Sequence, residues 1–331
     1  MSKSALVRLK EFLANRPEGG AIVGVVALFV FFSLGTEHFL AVKSFRSMLT
    51  LAAYWGIAAG GVTLLMISGE FDLSVGSMLG LSAMGVAIMV NAGLPSPIAV
   101  VMMLIVCVAI GLLQGLAVVK LGIPSFIITL GGMLLFRAIT YLIHLVVVQG
   151  DYVRVPQDDA FYQILSYRFE SGFNITPLWF LGITVILYLI LHRTHFGNWI
   201  FATGGNKLAA IQSGVPVNRV KVILFGLTAG LACLAGIFEM TRFPSVGPQG
   251  GKLLELYLIA MVVMGGTRLI GGYGSVVGTV FGLAMMAMMK NGLSLMGVSA
   301  YWYNAVVGII ILIAVIVNVN SQRRALGVRH E

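Results

Sequence analysis

From Met48 to Asn320 the chain is a succession of long apolar runs interrupted by glycine, proline and scattered charges. Hydrocarbon, not water, is the solvent such a surface fits. Hydrophobic residues make up 59% of the chain and charged residues 10%, with a mean hydropathy of +0.99, whereas a soluble domain carries about 25% charged residues. A membrane function follows, and enzymatic readings are disfavoured by the shortage of titratable groups.

A helix needs about 20 apolar residues to cross the hydrocarbon layer. That rule predicts ten spans, near 20–35, 46–68, 73–91, 97–119, 125–147, 176–192, 219–241, 253–268, 274–292 and 299–319. The expected fold is therefore an all-α polytopic membrane protein with about ten transmembrane helices over 20–320. Residues 253–293 stand apart, because Gly265, Gly266, Gly271, Gly272, Gly274 and Gly278 could make a broken or re-entrant segment, which needs shielding by protein or water.

With the N-terminus inside, thirteen of the 21 basic residues fall on inside segments and six outside: Lys43, Arg46, Arg154, Arg168, Arg242 and Lys252. This bias favours both termini inside and accounts for the net charge of +9 through contact with lipid headgroups, without nucleic acid. Residues 1–19 read as a basic amphipathic segment, Leu6, Leu9, Phe12 and Leu13 sharing one face up to Pro17. No A-x-A cleavage site follows the first apolar run, so that run is expected to be retained. Residues 321–331 form an inside tail. Cys107 and Cys233 fall within spans, where a lone thiol behaves as a small apolar group.

Two polar segments are large enough to act. Residues 148–175, expected outside, mix Asp151, Asp158, Asp159 and Glu170 with aromatic residues, which suits an ordered loop or contact with a protein. Residues 193–218, expected inside, contain Gly204-Gly205, then Asn206, whose side chain can cap a helix from Lys207 to Ser213. Gly214 suits the position just past that helix, and Pro216 forbids its continuation. Gly205 and Gly214 are expected to need permissive backbone angles, and Ala209 and Ala210 a close contact. A helix capped at both ends between two spans points to docking rather than to a simple turn.

ATGGNKLAAIQSGVPV, SGEFDLSVGS from Ser68, GGTRLIGGYGSVVG from Gly265 and IPSFIITLGGMLLFRAITYL from Ile123 together resemble the ABC import permeases of the ribose, xylose and autoinducer-2 class, in order and over most of 45–320. The resemblance implies a type II importer-like bundle and a cytoplasmic coupling loop at 193–218, with Gly205, Asn206, Lys207, Ala209, Ala210, Ser213 and Gly214 facing an ATPase. It also implies an external solute-binding protein, a second permease subunit and a simple sugar or related small polar solute.

Glu70 departs from the family's usual glycine and adds a carboxylate to Asp72 and Ser74 at the inside start of the third span. Asp72 is placed to cap that span, favourably at a positive helix end. Asp72 reads equally as a contact to the ATPase, and Glu70 reads as a solvated loop residue. A repeat is echoed by Gly76, Ser77, Gly80, Leu81 and Met84, which match Gly278, Thr279, Gly282, Leu283 and Met286 at a constant offset, although small residues four apart also serve helix packing.

The chain lacks a phosphate loop: Gly247 to Lys252 has the wrong spacing and no hydroxyl after the lysine. ATP is thus expected to be hydrolysed by a partner subunit, with no cofactor, metal or catalytic residue in this chain. The alternative class is an ion-coupled secondary transporter or channel, whose coupling groups would be drawn from Arg137, His144 and Glu239, with Arg137 also able to satisfy carbonyls inside the bundle or line the path.

Overall fold

The computed structural model describes residues 18–148, 150–155 and 159–299, with positions 302, 304–306, 308–309 and 312. The expected N-terminal amphipathic segment up to residue 17, most of the tenth span and the tail lie outside the described residues. The helices run α1 Gly19–Gly35, α2 Val42–Ile67, α3 Val75–Asn91, α4 Ser96–Leu121, α5 Ser125–Val147, α6 Ala160–Leu165 and α7 Thr176–Arg193. They continue as α8 His195–Gly205, α9 Lys207–Gln212, α10 Val217–Met240, α11 Leu254–Met264 and α12 Val276–Leu295.

Six of them, α2, α4, α5, α7, α10 and α12, are long and apolar enough to cross a membrane, while α1, α3 and α11 are apolar but shorter. Nine of the ten expected segments thus coincide with helices, and six meet the length criterion. Proline stands at or beside the start of α4, α5, α7 and α10, where its missing N–H has no helical partner to lose.

Two helices form the centre. α2 is 89% buried and α10 is 67% buried over their apolar windows, against 22% for α5 and 17% for α7. The reason lies in the side chains: α2 carries Ala58, Ala59, Gly60 and Gly61 in succession, and a methyl group on Gly61 would sit 2.9 Å from Thr228 Cα on α10. Small residues let the two backbones approach, which drives packing where hydrophobicity cannot. α4 closes on α10 in the same way, with Gly111 against the Phe225 carbonyl. The apolar faces of α4, α5 and α7 are left outward, as lipid contact requires.

The segment after α10 departs from a simple span. Residues 253–268 contain an 11-residue helix, α11, preceded by irregular backbone at 247–253. Leu253 has φ +63°, the one positive φ at a described non-glycine residue, and Gly251 has φ +67°. This stretch packs into α3: a methyl group on Gly80, six residues into that helix, would fall 2.4 Å from the Gly250 carbonyl. Irregular backbone at such depth survives because protein shields it.

At the end of the bundle where α10 finishes, β1 (Val153–Arg154) pairs antiparallel with β2 (Ser245–Val246), a small addition to the expected all-helical fold. Asp159 caps α6 by accepting from the Tyr162 amide, and the Tyr162 hydroxyl donates to the Thr241 carbonyl at 2.9 Å. Residues 150–155 and 159–175 are thereby tied to the segment after α10, with Tyr152 and Tyr167 left exposed.

Candidate functional site

α9 is one and a half turns long, and both of its ends are closed by local chemistry. The Asn206 side chain accepts from the Ala209 amide at 3.0 Å. At the other end the Gly214 amide donates to the Ile211 carbonyl and the Val215 amide to the Ala210 carbonyl, with Gly214 at φ +79°. That is the pairing a left-handed glycine permits after a helix. The left-handed position is Gly214 and not Gly205, which lies inside α8 and needs no permissive angle.

On α9, Lys207, Ala209 and the following Ser213 are exposed, together with Leu208 at 74% and Ile211 at 51%. Ala210 is buried against the protein, so it supports α9 rather than offering a contact surface. Leu208 and Ile211 are the apolar groups that sequence reasoning passed over. Their signal was present: two bulky apolar side chains three residues apart in a short polar segment.

The glycines preceding α9 have a different role. A methyl group on Gly204 would lie 1.9 Å from the Ile67 carbonyl and 2.6 Å from the Gly272 amide nitrogen. The Gly272 amide itself donates to the Ile67 carbonyl at 2.8 Å, and a methyl group on Gly271 would meet Gly69 Cα at 2.7 Å. Three segments far apart in sequence therefore meet backbone on backbone: the end of α2, the end of α8 and the loop before α12. No side chain fits between them. By contrast, the nearest atom to a methyl group on Gly205 would be Gly272 Cα at 3.9 Å.

Glu70, Asp72 and Ser74 occupy the connection from α2 to α3 at this same end. Glu70 is not solvated: it is 9% exposed and forms an ion pair with Lys221 of α10. Asp72 does not cap α3, which starts after Ser74 with no side-chain cap. Instead Asp72 Oδ1 accepts from the Ser74 amide at 2.7 Å and the Ser74 hydroxyl at 2.6 Å, closing a turn ahead of the helix. Asp72 is 1% exposed, its other oxygen has no partner among the described residues, and burial pushes its carboxyl up to about 6. A two-residue reach favours this turn over the cap, because Asx side chains close on their own backbone two positions on.

Arg137 projects from α5 and donates to the Gly250 carbonyl. It thereby satisfies an acceptor of the irregular 247–253 backbone, the carbonyl role weighed for it from sequence. His144 is half-buried with Nδ1 lacking a partner among the described residues. Glu239 lies on α10 at the opposite end from α9. These three groups are not brought together as a relay: Arg137 engages a carbonyl, and Glu239 faces a separate cavity. Among the described residues no cluster of histidine, cysteine or acidic side chains has the makings of a metal site.

Residues 44–315 match the family described as "Branched-chain amino acid transport system / permease component". The chain is 36% identical to the ribose import permease protein RbsC of Bacillus subtilis (strain 168), over 90% of its own length and 92% of that protein's. It is 34% identical to the Escherichia coli (strain K12) ribose import permease protein RbsC, covering 92% and 94%. With the autoinducer 2 import system permease protein LsrC of Salmonella typhi the identity is 31%, covering 91% and 85%. No solved structure matches the chain. An apolar helical bundle, a short double-capped helix at one end and these relatives over nine-tenths of the sequence converge: the chain belongs to the ABC import-permease family.

Proposed function

We propose that this protein is the membrane subunit through which a binding-protein-dependent importer carries a simple sugar or related small polar solute. The solute class is taken from the relatives, which are named for ribose and autoinducer 2. The observation that carries the energy coupling is α9: an exposed, double-capped helix that follows directly on the glycine junction with α2. A separate ATPase binds and hydrolyses ATP and presses on Asn206–Gly214, and the glycine junction passes that movement to the centre of the bundle. The permease itself is non-catalytic and holds no cofactor.

Two permease subunits, identical or paralogous, line the path in the bacterial inner membrane, with both termini inside. An external binding protein meets the end carrying 148–175. Lipid covers α4, α5 and α7. Reporter fusions should read outside after Ser166 and inside after Lys207 and Arg329, as the distribution of basic residues requires.

The deciding experiment is reconstitution in liposomes. Concentrative uptake should require the binding protein, the ATPase and ATP, and should persist when the proton gradient is collapsed. Accumulation by this chain alone on a proton or sodium gradient would overturn the reading and return Arg137, His144 and Glu239 to the position of coupling groups.

A further inference from the structure

At the end of the bundle opposite α9, a cavity of about 470 Å³ opens between α2, α10 and α12. Its wall carries Tyr54 from α2, Glu239 from α10, Arg242 and Phe243 just beyond α10, and Lys290 and Asn291 from α12. Ser47 and Ser294 lie exposed at its rim. In a chain with only 10% charged residues, one carboxylate and two cations around a single cavity are a concentration that packing does not explain. Charged groups on membrane-spanning helices are costly and mark function when they face a cavity.

The groups are held in place without being used up. Lys290 Nζ sits 4.5 Å from the centre of the Trp55 ring, which is itself stacked on Tyr257 at 5.8 Å. Arg242 lies over the Tyr54 ring at 5.7 Å and donates to its hydroxyl at 3.4 Å. The Asn291 amide nitrogen donates to the Ser44 hydroxyl at 2.5 Å, leaving its carbonyl as an acceptor. Glu239 is flanked by both cations, yet among the described residues the one ion pair is Glu70–Lys221, at the other end. Its carboxylate oxygens thus keep their acceptor capacity for something that enters.

We propose that this cavity is a solute subsite within the permease, built for a neutral polyhydroxylated molecule of monosaccharide size. The volume lies within the roughly 300–1,000 Å³ of small-molecule sites, where a few fixed polar groups work against aromatic and apolar walls. A carboxylate and an amide carbonyl that accept from hydroxyls, and two cations that donate to hydroxyl oxygens, match a diol-rich surface. Phe243, 46% exposed, supplies ring surface for the C–H face of a sugar, with the buried Tyr54 ring holding Arg242 in the wall. The formal charge of the wall, one negative against two positive, turns away cationic solutes. The proposal rests on the import reading and adds that specificity is checked a second time inside the membrane subunit.

Cys107 and Cys233 are both fully buried, so a cysteine placed at the rim is a clean probe. In liposomes holding permease and ATPase, Ser294→Cys is labelled with a small charged methanethiosulfonate. The protecting sugar is whichever of D-ribose, D-xylose or D-galactose the wild type accumulates with its partners. High millimolar free sugar should slow labelling in a dose-dependent way, while glycine betaine at equal osmolarity should not. Adding Glu239→Gln should raise the half-protecting concentration about tenfold, the loss of a hydrogen bond to a charged group.

A wild type that imports sugar while the sugar protects no better than betaine would sink the subsite and leave the import reading intact. A wild type that imports none of the three with ATP and partners would overturn the sugar reading, and the subsite with it. Protection by the binding protein alone, sugar-free as much as loaded, would make the cavity a docking surface and also overturn the proposal.

Discussion

α2 and α11 end in the same way, and the chain then returns by two different devices. At α2 the amides of Ser68, Gly69 and Glu70 donate to the carbonyls of Leu64, Met66 and Leu65; at α11 those of Gly265, Gly266 and Thr267 donate to Met261, Val263 and Val262. Each pattern satisfies the orphan carbonyls of the last turn through a left-handed glycine, Gly69 or Gly266. Beyond that point the connections diverge. Residues 68–74 are fixed by side chains, Glu70 to Lys221 and Asp72 to Ser74. Residues 265–275 carry no acid of their own: Ser275 at their end donates to Glu18 at 2.5 Å, but the contact with the α2 end is backbone alone, with Gly271 and Gly272 laid against Gly69, Ile67 and Gly205. A connection held by charges can be retuned by protonation or partner loss, whereas one held by bare backbone tolerates no added atom.

The largest effect should come from breaking the backbone-held side at its tightest contact. Gly204→Ala places a methyl group 1.9 Å from the Ile67 carbonyl, and neither backbone can yield as a flexible side chain would. A loss of about 3 kcal/mol or more is expected, the upper end for overpacking, with most uptake lost. Gly205→Ala, one residue away, should stay near wild type. Thermal midpoints in detergent, read beside uptake, check the pair; equal behaviour of the two variants would show that the junction is looser than its contacts imply.

On the charge-held side, the ion pair should show its coupling in a double-mutant cycle. Lys221→Met leaves Glu70 enclosed without its partner, a change that costs about 3 kcal/mol for a buried pair. Glu70→Gln with Lys221→Met should recover part of that loss, because no unpaired charge remains. Additive single effects would mean that the pair contributes nothing beyond its separate side chains.

Much of this contrast could not be read from the sequence, and the reasons are physical. The helices α2, α5 and α10 were legible because long apolar runs have one solution in hydrocarbon. The caps of α9 were legible because Asn206 and Gly214 act over three residues. Glu70 looked solvated because its partner lies 151 positions away, and no local pattern links the two. The junction was hidden for the same reason: the two glycine pairs and Gly69 are individually ordinary and acquire meaning only where they meet. Residues 253–268 have the composition of a span, but the helix covers only Leu254–Met264, and Leu253 and the Arg137–Gly250 contact belong to irregular backbone that leads into it. The glycine-rich stretch read as a possible break begins at Gly265, after the helix, and gave no sign of the irregular backbone ahead of it.

Asp72 offers a smaller and reversible way to probe the charge-held connection. Its folded-state value of about 6 stands above the ordinary 3.8 because burial penalises the charged form. A raised value means that the contribution to stability is fully present below 3.8 and is lost as pH climbs through about 6. Between pH 7 and pH 5 the protein should therefore gain about 1.4 kcal/mol from this group. Asp72→Asn should remove that part of the pH dependence while leaving the 265–275 connection untouched. A pH profile identical in the variant would assign the dependence to another group.

The smallest effect should lie at Gly214, where the conformation is demanding but the surroundings are open. A methyl group there meets nothing within 4 Å, so the whole penalty is the left-handed angle of φ +79°. For a residue with a Cβ that costs about 1 kcal/mol, against the much larger packing clash at Gly204. Gly214→Ala should lower the thermal midpoint slightly, whereas Gly214→Asn should recover most of the loss because asparagine tolerates this region. If α9 transmits force from an ATPase, Gly214→Ala should also reduce the yield of transport per ATP hydrolysed, since fraying its end loosens the side that receives the push. An unchanged ratio of uptake to hydrolysis in Gly214→Ala, together with a lowered midpoint, would place the transmission at Asn206 and the glycine junction rather than along the full length of α9.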